Sequence, residues 1–160
     1  MILIALLSLL GGSAAAFDIT PAPSTTLPFI SLSSPTNNPI LTTGFASIYW
    51  VNVDSNTSMG FDAVASSDTV TVPSAGRYQV NCLVYTTAAT TTLSARIRAN
   101  GITVAQVDID PISGSTSSAG ASKILDLNSG ATLQCQGYDT GGGYWSTSSA
   151  LSSFQVYKLQ

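Results

Sequence analysis

The sequence has 160 residues, a size typical of one domain, and 44% of them are hydrophobic, which favours a packed fold over disorder. Only 8% of the residues are charged, against an ordinary fraction of about 25%, and the formal net charge is −3. Five cations are too few for nucleic-acid or anionic-membrane binding, and the absence of histidine and glutamate argues against an enzyme and indicates no cofactor.

The first ten residues form an apolar run, which is followed by two glycines and then by Ala14-Ala15-Ala16. The three alanines fit a signal-peptidase site before Phe17, although no lysine or arginine precedes the run. Two interpretations stay open: a secretory signal that is removed, and a retained apolar anchor that packs on another protein. The run is too short and too interrupted by glycine to predict a membrane span.

Residues 18–45 contain five of the seven prolines, which exclude a helix and most ladder hydrogen bonds. Apolar side chains recur among these prolines, and a disordered linker has no use for them in water. We therefore predict that residues 1–45 form an extended arm that lies in a groove of a neighbouring protein. The predicted contact residues of this arm are Ile2, Leu3, Leu6, Leu7, Leu10, Phe29 and Ile30.

From residue 46 onward, apolar residues alternate with polar ones, which is the pattern of half-buried β-strands. Asn100-Gly101 separates two such runs and predicts a two-residue hairpin. No stretch shows a sustained helical period. Residues 46–160 are therefore predicted to fold as an all-β antiparallel sandwich or jelly roll of eight or more strands. The inward positions of the clearest runs are Ile48, Trp50, Val70, Val72, Tyr78, Val80, Cys82, Val84, Leu93, Ala95, Ile97 and Ala99.

Four segments of this region resemble, in order, the globular-head domains of the C1q and tumour-necrosis-factor superfamily. They are the strand-turn-strand within residues 61–80 with its Gly76-x-Tyr78-x-Val80 step, the strand 93–101, the Leu-x-Leu-x-x-Gly step at 125–133, and the terminal Ser-x-Phe strand at 152–159. The resemblance implies a ten-strand jelly roll that assembles as a homotrimer around an apolar axis and serves binding rather than catalysis. The same module resembles capsid decoration proteins and fibre heads of bacteriophages and viruses.

The residues predicted for the trimer interface are Tyr78, Tyr85, Phe154 and Tyr157. Cys82 and Cys135 both occupy inward positions, and the superfamily topology brings their strands together. A disulfide is conceivable there, but two small buried hydrophobic side chains are the default interpretation.

Three other groups of residues are candidate binding sites, but each also has an ordinary structural explanation. Asp108 and Asp110 share a face but fall short of the six to eight oxygen ligands that calcium takes, so we predict a solvated edge and no metal. Arg96 and Arg98 can anchor a ligand, yet a row of salt bridges, either exposed or at an interface, is the favoured interpretation. A third group of aromatic residues can form a platform for a sugar or a receptor, but packing in the core or at the trimer interface is favoured. These residues are Tyr138, Tyr144 and Trp145.

The outward strand positions carry serine and threonine, 43 residues in the whole chain, where a solvated sandwich normally carries charges. Such faces are easily desolvated, and interface cores are depleted in charge for this reason. We therefore predict a virion structural protein: a homotrimeric capsid decoration or cement protein, from a bacteriophage, whose arm binds the major capsid protein on the capsid surface. The alternative is a secreted C1q-like recognition module, or a fibre-tip adhesin, that binds sugar or a receptor.

Overall fold

The computed structural model describes residues 28–33, 44–50, 52–57, 61, 67–86, 92–110, 112, 116–140 and 152–159. These residues form ten β-strands, and no helix occurs among them, so none long and apolar enough to cross a membrane is found there. The strands are β1 (Phe29–Ser33), β2 (Ala46–Ser47), β3 (Asn52–Thr57), β4 (Thr69–Thr71), β5 (Gly76–Thr86), β6 (Leu93–Ala99), β7 (Ile102–Ile109), β8 (Ser117–Leu127), β9 (Thr132–Asp139) and β10 (Ser153–Lys158).

The strands form two antiparallel sheets. Sheet one has the order β3-β1-β10-β5-β8. Sheet two has the order β2-β9-β6-β7, and β4 pairs with β9 beyond the short β2. The many non-consecutive neighbours are typical of a jelly roll, so the predicted fold class is confirmed.

The hairpin between β6 and β7 forms at the predicted dipeptide. Asn100 has φ 49° and Gly101 has φ 78°, which are the left-handed conformations that a type I′ turn requires. The turn is also tied to sheet two, because Asn100 Oδ1 accepts a hydrogen bond from the Thr132 amide at 2.9 Å.

The core lies between the two sheets and is built from one side of every long strand. Strand β5 shows the alternation most clearly, with Tyr78, Val80, Cys82 and Val84 all buried. Connecting segments add two aromatic side chains to these rows. Trp50 lies 5.9 Å from the ring of Phe154, and Phe61 meets Tyr78 edge-on at 6.2 Å.

Cys82 and Cys135 form a disulfide between the two sheets, from β5 in sheet one to β9 in sheet two. The default expectation of two unbonded side chains is therefore wrong. Their inward alternation placed both sulfurs in the core, and the face-to-face packing of the sheets brings their Cα atoms to 5.4 Å, within the range of a disulfide.

The predicted boundary between arm and jelly roll also needs correction. Phe29–Ser33, assigned to the arm, forms β1 inside sheet one, where it pairs with β10 and β3. Ile30 is fully buried in the core of its own chain and cannot contact a capsid subunit. Pro28 does not prevent this strand, because it stands just before the first strand residue, a position where proline is tolerated. The Pro28 carbonyl even accepts a hydrogen bond from the Lys158 amide. Residues 1–27 and 34–43 of the predicted arm lie outside the described residues.

Candidate functional site

The outer face of sheet one carries exposed apolar side chains that the core does not explain. Because side chains alternate along a strand, every second residue of β1, β10, β5 and β8 points away from sheet two. The register aligns these outward residues in rows that run across the four strands. The first row is Phe29, Tyr157, Gln79 and Ile124; the second is Ser31, Gln155, Asn81 and Ser122; the third is Ser33, Ser153, Leu83 and Gly120.

Apolar side chains stand in the first and third rows. The rings of Phe29 and Tyr157 stack across β1 and β10, with centroids 5.2 Å apart and planes 7° from parallel. Ile124 is 49% exposed and Leu83 is 36% exposed. Leu83 leans over Gly120, since a Cβ at that glycine would lie 3.4 Å from Leu83 Cδ1. The outer face of sheet one therefore presents two exposed aliphatic side chains and two partly exposed aromatic rings.

The polar residues of this face are neutral and bond to one another. Ser122 Oγ donates to Asn81 Oδ1 at 2.7 Å, and Gln79 Nε2 donates to the same oxygen at 3.4 Å. The Tyr157 hydroxyl donates to Gln155 Oε1 at 3.2 Å. Each of these bonds replaces one that water would otherwise supply, and neutral groups cost less to desolvate than charged ones, which lowers the desolvation cost of covering this face.

Charged side chains stand only at the margins of the described part of this face. Arg77 and Asp126 are opposite each other at one end, and Asp54 belongs to the edge strand β3, where it accepts a hydrogen bond from Ser33 Oγ at 2.7 Å. The centre carries no charge, as is typical of the core of a protein–protein interface.

The structure divides the four predicted trimer residues into two pairs. Tyr78 and Phe154 are fully buried within the single chain, so a neighbouring subunit cannot reach them, and these two assignments are wrong. Both residues point inward because they share the alternation of the core. Tyr85 and Tyr157 point outward and are partly exposed, and their role in assembly stays a prediction.

Three residues of this face were not predicted from the sequence to lie at a subunit interface: Phe29, Leu83 and Ile124. A signal for two of them was present, because Leu83 sits between the inward positions of β5 and Ile124 directly precedes the partly buried Leu125. Apolar residues at both alternations of a strand indicate that both faces are covered. Phe29 was missed because its segment was assigned to the arm.

The remaining candidates are dispersed. Asp108 is exposed and accepts hydrogen bonds from Gln106, and the described residues contain no group of three or more side chains suited to a metal. Tyr138 lies on the outer face of sheet two, whereas Tyr144 and Trp145 lie outside the described residues. The predicted arm contacts outside the described residues are Ile2, Leu3, Leu6, Leu7 and Leu10.

The two sheets, their strand order and the exposed face of sheet one define a jelly-roll domain of the C1q and tumour-necrosis-factor class. The family model of the BclA C-terminal domain matches residues 50–160, and the chain belongs to this family. Strands β1 and β2 precede the matched region.

Solved structures agree on the fold. A crystal structure of murine APRIL at pH 5.0 superimposes with a TM-score of 0.69 and 16% sequence identity, over 83% of this chain and 99% of that chain. A second structure of murine APRIL, at pH 8.0, gives a TM-score of 0.67 and 15% identity, over 82% of this chain and 98% of that chain. No curated protein matches the chain by sequence.

Proposed function

We propose that this protein is a homotrimeric structural protein displayed on the outside of a particle, and that the subunits meet through the outer face of sheet one. The observation that supports the trimer is the uncharged centre of that face, with its Phe29–Tyr157 stack and the exposed Leu83 and Ile124. Fully burying one large apolar side chain contributes about 1.5–3 kcal/mol, so a few such residues from each subunit supply a substantial driving force.

The particle that we propose is a virion, in which the trimer is a capsid decoration protein. Support comes from the low charge of the whole chain, since a surface packed against other proteins needs few ionised groups. The apolar residues before β1 would bind the major capsid protein and tie neighbouring subunits together.

The trimer is tested by placing a charge on the proposed interface. In Ile124→Lys, a lysine would have to be desolvated at the contact, so we expect the trimer to dissociate to monomers in light scattering. The control is Ile102→Lys, the same change at a 69% exposed position of sheet two, which should leave the trimer intact. A wild-type monomer, or equal behaviour of the two variants, would overturn the proposed interface.

The capsid role is tested by truncation. Deleting residues 1–27 leaves β1 in place, whereas a cut after residue 41 would remove β1, which lies between β3 and β10 inside sheet one. We expect the shortened protein to remain a trimer but to lose binding to assembled shells in a co-sedimentation assay. Full decoration of shells by the shortened protein would contradict the proposed arm.

A secreted recognition module is the second candidate, and the Cys82–Cys135 disulfide favours it. Disulfides form and persist in oxidising compartments and on external surfaces, and are rare in a reducing cytosol. Intact mass of the native protein separates the two candidates: a mature chain that begins at Phe17 supports secretion, and one that retains Ile2 supports the virion. Alkylation before and after reduction reports whether both cysteines are bonded in the native source.

A further inference from the structure

Two of the three arginines of the chain lie side by side on the outer face of sheet two. Arg96 and Arg98 occupy alternate positions of β6 and therefore point to the same side. Their cross-strand neighbours on β9 are both glutamines, Gln136 beside Arg96 and Gln134 beside Arg98. On β7, Arg96 faces a third glutamine, Gln106. Two like charges thus stand together among neutral neighbours.

Arg96 is held in a fixed position. Its Nε donates to Gln136 Oε1 at 2.7 Å, and Gln136 Nε2 in turn donates to Ser47 Oγ at 2.9 Å. The guanidinium carbon lies 3.9 Å from the centroid of the Phe45 ring. Gln136 is only 5% exposed, so the side chain that orients Arg96 is itself locked by packing. Across the described ranges, the two terminal nitrogens of Arg96 have no hydrogen-bond partner.

The nearby carboxylates bond to other groups. Asp68 accepts from Gln134 Nε2 at 2.9 Å and from the Thr69 hydroxyl at 2.8 Å, and Asp108 accepts from Gln106 Nε2 at 3.0 and 3.1 Å. In the part of the chain that the structure describes, neither arginine forms an ion pair, so no row of salt bridges forms within one subunit, and a row at an interface stays a prediction. Burial, and then the charge of Arg98, lower the pKa of Arg96, although a guanidinium stays protonated at neutral pH.

We propose that this face binds an acidic saccharide, a chain of sugars that carry carboxylates. The free terminal nitrogens of Arg96 present the fork that a carboxylate accepts in two parallel hydrogen bonds, and Arg98 adds a second positive charge beside it. Tyr138 is half-buried with its ring 5.6 Å from that of Phe45, and its exposed part offers a surface for a sugar ring. The hydroxyl and amide groups around the arginines suit sugar hydroxyls, which favours a saccharide over an acidic peptide.

Calorimetric titration of the full chain with α-1,4-linked trigalacturonate tests this proposal, and the methyl ester of the same trisaccharide is the neutral control. We expect the acid to bind and the ester not to bind. In Arg96→Gln, affinity should fall by at least about tenfold. The matched variant Arg77→Gln removes the same charge from sheet one and should bind like the wild type.

Four outcomes overturn the proposal: no binding of the acid by the wild type, equal binding of the ester, an equal loss in Arg77→Gln, or equally tight binding of triglutamate. Arg98→Gln provides a second variant if Arg96→Gln does not fold, as judged by thermal unfolding, and its affinity should also fall. The proposed saccharide site lies within one subunit, on the sheet opposite the proposed trimer interface. It therefore stands or fails independently of the trimer.

Discussion

Ile30 shows how one side chain distinguishes a domain from an arm. A residue that contacts a capsid would be exposed in the isolated protein, yet Ile30 has no exposed surface and faces the core from β1. Its neighbour Phe29 points the other way and stacks on Tyr157. The two adjacent residues thus serve opposite faces of sheet one, and both belong to the folded unit.

At the residue scale, we expect Ile30→Ala to lower the free energy of unfolding by about 2–5 kcal/mol, because it leaves a cavity between the sheets. Denaturant unfolding followed by fluorescence measures the change. Ile102→Ala, at a position 69% exposed, should cost no more than about 0.5 kcal/mol. If the two substitutions cost the same, β1 does not contribute to the core.

The sequence was informative about side chains that face the core and less so about those that face other molecules. Alternation identified the buried residues of β5 and β6 because burial between two sheets acts on every second position. It did not show what covers the outward residues Leu83 and Ile124, since an apolar residue at an outward position does not say which molecule it contacts. Tyr78 and Phe154 were predicted for the apolar trimer axis that the resemblance implies, but the large size of aromatic side chains also makes them good core residues.

At the element scale, the proline-rich composition of residues 18–45 led to a wrong prediction for β1. Prolines on both sides of β1 suggested an extended arm, but none of the five residues of β1 is a proline, so all of them are free to donate to the neighbouring strands. The pairing of β1 is fixed by β10, which lies more than 100 positions later in the sequence. Pairing over that distance leaves no local signal, whereas the β6–β7 hairpin was predictable because its signal is the turn itself.

The hairpin supplies the prediction for this scale. Gly101 has φ 78°, where a Cβ is strained, so Gly101→Ala should destabilise the protein by roughly 1 kcal/mol. Gly44→Ala is the control, because an added Cβ meets nothing within 4 Å there and no left-handed backbone is recorded at that position. Thermal unfolding of the two variants checks the difference. Equal midpoints would mean that the turn relaxes to accept alanine.

At the scale of the whole molecule, the two outer faces have opposite chemistry. Sheet one offers an apolar and neutral surface, and sheet two carries the paired arginines. The chain has few charged side chains, and they are unevenly distributed: two of its five cations lie side by side on sheet two. If one face serves assembly and the other serves a ligand, solution conditions should affect them differently.

We therefore expect trimer stability to change little between about 50 and 500 mM sodium chloride, because no charged side chain lies at the centre of the sheet-one face. Over the same range, trigalacturonate binding should weaken, since salt screens the attraction between carboxylates and arginines. Sedimentation velocity and calorimetry measure the two effects on one sample. Dissociation of the trimer at the higher salt concentration would show that charged contacts at the margins hold it together.

The pairing of β1 with β10 also determines where the first strand begins and the last strand ends. The Lys158 amide bonds to the Pro28 carbonyl at 2.8 Å, so the chain enters and leaves the sandwich at the same pole. Thr86 and Asp139, the last residues of β5 and β9, lie at the opposite pole. A protein fused before β1 or after β10 would therefore be attached at one pole of the sandwich, away from the pole of Thr86 and Asp139. The same proximity makes this jelly roll a natural candidate for circular permutation, in which a short linker joins the two ends and a new opening is cut at the distal tip.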